Sequence, residues 1–431
     1  MAAVLPEIST VRTSGPTICQ LANGLTIVAE QMPVDAVSLN VWLQVGSSVE
    51  TDATNGMAHF LEHMTFKGTA NLAPGEFDRR VEARGAVMNA ATSQDYTHYF
   101  ITTAPQDFAE LAPLQLELVA QSRIPADEFE RERAVVLEEI RRSQDSPARR
   151  LHAHMMSACF EHLPYRRPVL GSHETVGALT PAQMRDFHRN WYQPQNMTVA
   201  AVGNLPVETL IETICDRLPA IESSPTNSPV APAPAPIAAE DAFTAPIRHE
   251  YNDPGVQQAR LVLLWRVPGL TKLAQTYALD AIAAILGQGR MSRLFRELRE
   301  ERQWVNSVSA SNATQKLQGY FYISARLPEE NIERVEAAIR GQLRCLQQEP
   351  VTASELTRIR TQVANRFIFA NERPGDRTNL YGYYLSQVGD LSAALDYPQQ
   401  VQALQAENLQ AAVQRYLSPD ICATVVVRPQ G

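Results

Sequence analysis

Residues 221–246 carry Pro225, Pro229, Pro232, Pro234 and Pro236 among alanines and serines, and this run constrains the fold more than any other feature. Proline locks φ and donates no backbone hydrogen bond, so such a run is a stiff, extended connector rather than part of a packed domain. The halves on either side are similar in size, and each is long enough to bury its own core. They also end alike. Residues 179–199 align without a gap on 404–424: Leu179 falls on Leu404, Met184 on Leu409, Trp191 on Tyr416 and Pro194 on Pro419. Both stretches then enter a β-branched segment, 198–202 and 424–427. Each half thus closes with a helix, a proline-containing turn and a strand, which a duplicated domain explains most simply. The expected domains are 1–222 and 248–431, joined by a linker over 223–247.

Periodicity gives the fold class. In the first half, 24–29 and 38–45 alternate as half-buried strands do. Asn55 or Gly56 caps a helix over about 57–66, which Gly68 terminates. A helix over 75–83, a strand along 87–102, and helices over 107–122 and 126–142 follow. The second half repeats the mixture, with strands at 259–265 and 320–327 and helices at 274–286 and 330–347. Strands and helices interleave with hairpin-like strand neighbours. This predicts an α+β fold of two homologous mixed domains, with antiparallel-rich sheets flanked by helices, rather than a doubly wound parallel sheet.

A net charge of −9 without any block of Lys and Arg argues against nucleic acid or an anionic membrane surface as partner. No apolar run approaches the roughly 20 residues of a membrane span. The five cysteines, Cys19, Cys159, Cys215, Cys345 and Cys422, form no Cys-x-x-Cys pair and read as free thiols. With no signal-peptide profile over residues 1–15, a cytoplasmic protein is the expectation.

The chemistry lies in His59-Phe60-Leu61-Glu62-His63. Two histidines four residues apart share one helix face, so both imidazoles reach a single tetrahedral ion. Glu62 lies beside the ion as a proton acceptor rather than a ligand. A catalytic zinc site needs a third protein ligand and one open position. The helix over 126–142 offers Glu132 and Glu139, seven residues apart and so on one face. Glu139 is the expected ligand, and Glu132 the carboxylate that orients a histidine or the water. A purely structural zinc site would favour a closed, cysteine-rich ligand set, and none is evident.

These residues resemble the pitrilysin-type (M16) metallopeptidase family, in its short-chain processing-peptidase-like branch. The resemblance runs through Gly46-Ser-Ser-Val-Glu50, Gly56 to Thr69, Gly85 to Ser93, Glu130 to Ile140 and Trp191 to Met197. The 76 positions between His63 and Glu139 agree with the family's spacing. The resemblance implies zinc bound by His59, His63 and Glu139, with Glu62 as general base. It implies a substrate backbone laid along an edge strand at Asn89 and Ala90. It implies two chains closing like a clam shell around a peptide-cleaving chamber, as a homodimer or with a related non-catalytic chain.

In active relatives an Arg and a Tyr seven residues apart reach the active site from the last domain. Arg377 and Tyr384 have that spacing, with Arg373, Tyr381 and Tyr383 as alternatives. The segment 287–295 is too short for the glycine-rich loop of the mitochondrial non-catalytic subunit, which argues against presequence recognition of that kind. His152, His154, Cys159 and His162 match no zinc pattern, and His98 and His173 read as structural or surface groups. The expected function is zinc-dependent endopeptidase cleavage of peptides or short unfolded segments. The alternative is a silent scaffold or peptide-binding subunit that needs a partner chain.

Overall fold

A computed structural model describes residues 9–12, 15–216 and 237–430. Pro225, Pro229, Pro232, Pro234 and Pro236 of the expected linker lie outside the described residues. The chain divides into two compact units. One lies within 1–141, 168–235 and 369–394, the other within 142–167, 236–368 and 395–431.

The first unit is built on seven strands: β1 (Ser9–Arg12), β2 (Thr17–Gln20), β3 (Thr26–Gln31), β4 (Val37–Leu43), β5 (Val87–Thr92), β6 (Thr97–Thr103) and β7 (Met197–Gly203). Their order is β1-β2-β3-β7-β4-β6-β5. Every residue of β4 and β7 is buried, as central strands covered on both faces must be. Val37, Leu39, Val41 and Leu43 enter the main core with Phe60, Leu61 and Met64. That core is closed by α1 (Met57–Thr65), α2 (Glu76–Ala83), α3 (Phe108–Ala120) and α4 (Ala126–Asp145).

The alternate residues of β4 meet the helix Pro374–Gln387 on the opposite face. Ser38 Oγ lies 3.2 Å from Thr378 Oγ1, and Asn40 Nδ2 donates to Asn379 Oδ1 at 2.8 Å. The strand expected along 87–102 is instead the hairpin β5–β6, in register from Thr92↔Thr97 to Val87↔Thr102. Alternation continues across both strands and hides the break. Ser93 and Asp95 are the turn formers that make it, and Ser93 N–H donates to Tyr96 O at 2.8 Å.

The second unit repeats the plan with β8 (Ile247–Asp253), β9 (Ala259–Pro268), β10 (Ser307–Ala313), β11 (Gln318–Leu327) and β12 (Ala423–Pro429). Its order is β10-β11-β9-β12-β8, the same as β5-β6-β4-β7-β3. The duplication extends to direction. β7 runs parallel to β3 and antiparallel to β4, and β12 runs parallel to β8 and antiparallel to β9. The two aligned helices, Pro181–Trp191 and Ala406–Tyr416, both open with a capping box, on Thr180 and on Gln405. The fold is therefore the expected pair of mixed α+β repeats. Among the described residues, no helix is long and apolar enough to cross a membrane.

One close approach holds the helix Pro374–Gln387 on the first unit's sheet. A Cβ on Gly382 would fall 2.1 Å from Trp42 Cδ1. The indole cannot yield, since it stacks on His98 at 4.3 Å and meets Tyr383 edge-on at 6.0 Å. Gly382→Ala is expected to cost about 1–3 kcal/mol by overpacking and to lower the unfolding temperature in calorimetry. An unchanged transition would contradict this packing.

Candidate metal centre

The helix that carries His59 and His63 begins on an unusual cap. Gly56, at φ +97°, has no side chain to offer, and a Cβ there would lie 2.7 Å from Leu170 O. The cap comes instead from Glu50, which is only 5% exposed. Its Oε2 accepts the Gly56 N–H and Asn55 Nδ2, both at 2.9 Å, and its Oε1 accepts the Ala58 N–H at 2.7 Å. A carboxylate at a helix N-terminus meets both the orphan N–H groups and the positive end of the helix dipole. Downstream, Gly68 at φ +99° turns the chain away from the helix. Apolar residues on α1 face the core, and Phe60 packs on Phe129 of α4 with ring centroids 4.5 Å apart. This joint sets the spacing of the two helices, and the polar side of α1 consequently faces Glu132 and Glu139.

His59 Nε2 and His63 Nε2 each lie 3.5 Å from Glu139 Oε2. The three ligand atoms fall within 4.8 Å of one another. Ligand atoms around a tetrahedral ion with bonds of about 2.0–2.1 Å lie about 3.3–3.4 Å apart. The nitrogen, nitrogen and oxygen donors therefore suit zinc in type and in spacing.

The outer contacts are as specific. His63 Nδ1 is 2.9 Å from Glu132 Oε1, and Glu132 Oε2 is 2.6 Å from Lys67 Nζ. The His63 hydrogen bond and then Lys67 hold the Glu132 carboxyl below its ordinary range, against the effect of burial. Glu62 Oε2 accepts a 2.5 Å hydrogen bond from the Thr92 hydroxyl on β5. Burial pushes the Glu62 carboxyl up, opposed by Thr92 and His63 and assisted by Glu139. Burial alone would pull the His63 imidazole down. Hydrogen bonds to Glu132 and Glu139, with the charge of Glu132 and Glu62, outweigh it and raise His63 to about 9. The Glu62, Glu132 and Glu139 carboxylates gathered around His63 favour a cation there, a setting suited to a divalent ion.

The other expected site residues fall in two places. Asn89 and Ala90 lie on β5, the edge strand, which pairs with β6 alone among the described strands. The Ala90 N–H donates to the Asn89 side-chain oxygen at 2.9 Å rather than to a neighbouring strand. Arg377 and Tyr384 lie on the helix Pro374–Gln387, across the sheet from α1 and away from this chain's His59, His63 and Glu139. There Arg377 pairs with the Glu30 carboxylate, which also accepts from the Tyr381 hydroxyl at 2.7 Å. Tyr384 meets Tyr383 edge-on at 5.4 Å. His98 is stacked against Trp42, and burial pushes it down to about 4. Glu50, Lys67 and Thr92 were not singled out by spacing. All three sit inside the sequence blocks that carry the family resemblance.

The chain belongs to peptidase family M16. The family signature described as insulinase (peptidase family M16) matches residues 26–173, and that of the peptidase M16 inactive domain matches 178–363. The zinc protease PqqE of Helicobacter pylori is 29% identical over 95% of this chain and 92% of its own. An uncharacterized zinc protease of Streptomyces coelicolor is 30% identical over 84% of this chain and 78% of its own. The crystal structure of a protease from Helicobacter pylori superposes with a TM-score of 0.88 at 28% identity, covering 99% of this chain and all of that one.

Glu50→Ala strands the buried Gly56 and Ala58 N–H groups, each costing about 1–3 kcal/mol when unsatisfied, while Asn55 Nδ2 keeps Pro168 O. The variant is expected to unfold at lower temperature and to retain zinc less well on dialysis. Wild-type behaviour in both would show that Glu50 does not support the site.

Proposed function

We propose that the chain is a zinc-dependent endopeptidase acting on peptides or short unfolded segments. The observation that carries this reading is the convergence of His59, His63 and Glu139, with the Glu62 carboxylate beside them and an open strand edge adjoining. A zinc ion held by these ligands supplies Lewis-acid chemistry, acidifying water and polarising a peptide carbonyl.

The chain's own residues do the rest. Glu62 takes a proton from the attacking water and returns it to the leaving amine. With Thr92 engaging Oε2, Oε1 is the oxygen left for that transfer. An extended peptide adds to the free edge of β5 through backbone hydrogen bonds, which serve any side chain. The Ala90 N–H is the donor offered there, once the Asn89 side chain moves aside. Because Thr92 belongs to the same strand, the peptide backbone and the base share one support.

Arg377 and Tyr384 fit this scheme in trans, stabilising the oxyanion or anchoring the peptide at the zinc of a partner chain. That role requires a homodimer or a related second chain, and Arg377 leaving Glu30 or bringing it along.

The test is cleavage of quenched-fluorescence peptides by purified protein, after chelation, after zinc add-back, and with Glu62→Gln. Chelation is expected to abolish turnover and zinc to restore it. Glu62→Gln is expected to keep its zinc and lose about 10²–10⁴-fold in rate, the usual contribution of a general base. Full activity in that variant would contradict the assignment. Zinc-loaded wild type that cleaves no peptide would favour a silent, partner-dependent subunit.

A further inference from the structure

We propose that Lys67 is a positioning residue of the metal centre: its grip on one oxygen of Glu132 aims the other at His63, so that His63 presents Nε2 to the ion. This goes beyond the ligand set and the base, and it rests on the metal-centre reading above.

The geometry is a three-link chain. Lys67 Nζ sits 2.6 Å from Glu132 Oε2, and Glu132 Oε1 sits 2.9 Å from His63 Nδ1. His63 Nε2, on the far side of the ring, lies 3.5 Å from Glu139 Oε2. A carboxylate that is salt-bridged at one oxygen accepts hydrogen bonds at the other. It therefore selects the tautomer with hydrogen on Nδ1 and leaves the Nε2 lone pair for a metal. Without Lys67, Glu132 would be held through Oε1 alone, and its side chain could rotate away from the imidazole.

Lys67 is itself held in place. Its N–H donates to Met64 O at 3.0 Å, and the next residue is Gly68 at φ +99°. The Arg123 N–H then donates to Gly68 O at 3.2 Å, tying the turn to the entry of α4. The side chains are 27% exposed for Lys67 and 12% for Glu132, so water screens this pair less than a surface pair. A cation near a dication's ligands is unfavourable unless a carboxylate absorbs its charge. The contact with Glu132 rather than a metal ligand meets that condition.

The experiment measures zinc binding by the apoprotein, in competition with a chromophoric chelator at neutral pH, so that no substrate is needed. Lys67→Met is expected to weaken zinc binding by about 10–100-fold, the usual effect of removing a partner behind a metal ligand. Lys67→Arg is expected to restore most of the affinity. Lys67 also borders a cavity of about 660 Å³, shared with Thr69, Arg123 and Arg185. Lys67→Met combined with Glu132→Gln is expected to bind no more weakly than Glu132→Gln alone, because both act through one chain of contacts.

Thermal unfolding of each apoprotein separates positioning from folding, and Lys67→Met is expected to melt like wild type. Wild-type zinc affinity in Lys67→Met overturns the proposal. So does an additive loss in the double variant, or a loss that tracks lowered apoprotein stability and that arginine fails to rescue. A wild-type chain that binds no zinc overturns the metal-centre reading and this proposal together.

Discussion

Glu62, Glu132 and Glu139 are brought to one side of a hydrophobic joint, Phe60 against Phe129, and their mutual repulsion is the constraint the local structure must satisfy. Lys67 answers part of it through its ion pair with Glu132, and a dication between the imidazoles would answer more. The neighbouring features hold this arrangement together. Glu50 caps the helix that carries the histidines, Thr92 holds Glu62, and the turn at Gly68 places the lysine.

The duplicated fold shows that the strand topology does not require the histidine-bearing helix. In the second unit the helix Tyr277–Gly287 follows β9 much as α1 follows β4 in the first. Its residues are almost all buried and apolar, with no histidine, and it packs on its sheet through Leu279, Ile282 and Ile285. The same topology thus stands with an ordinary apolar helix in one copy and the helix carrying His59, Glu62 and His63 in the other. Function resides in the grafted side chains rather than in the strand order.

What was legible in the residues is what short-range periodicity encodes. The pairing of His59 with His63 follows from the helical repeat, as does the common face of Glu132 and Glu139. The duplication could be read because residues 179–199 and 404–424 align without a gap. Other features depend on contacts far apart in the chain and leave no periodic trace. Glu50 caps a helix from outside it, and Thr92 reaches Glu62 across 30 positions. The grouping of residues 369–394 with the first unit rests on Ser38, Asn40 and Trp42 meeting a helix some 340 positions away. The β5–β6 turn was masked because alternation runs through it.

The most direct test of the account is crystallographic: anomalous scattering measured on either side of the zinc absorption edge, from crystals grown with zinc. One strong edge-dependent peak is expected about 2.0–2.2 Å from His59 Nε2, His63 Nε2 and the Glu139 carboxylate, with Glu62 beside it but not bonded. A peak elsewhere, or none at these three side chains with zinc in excess, would contradict it.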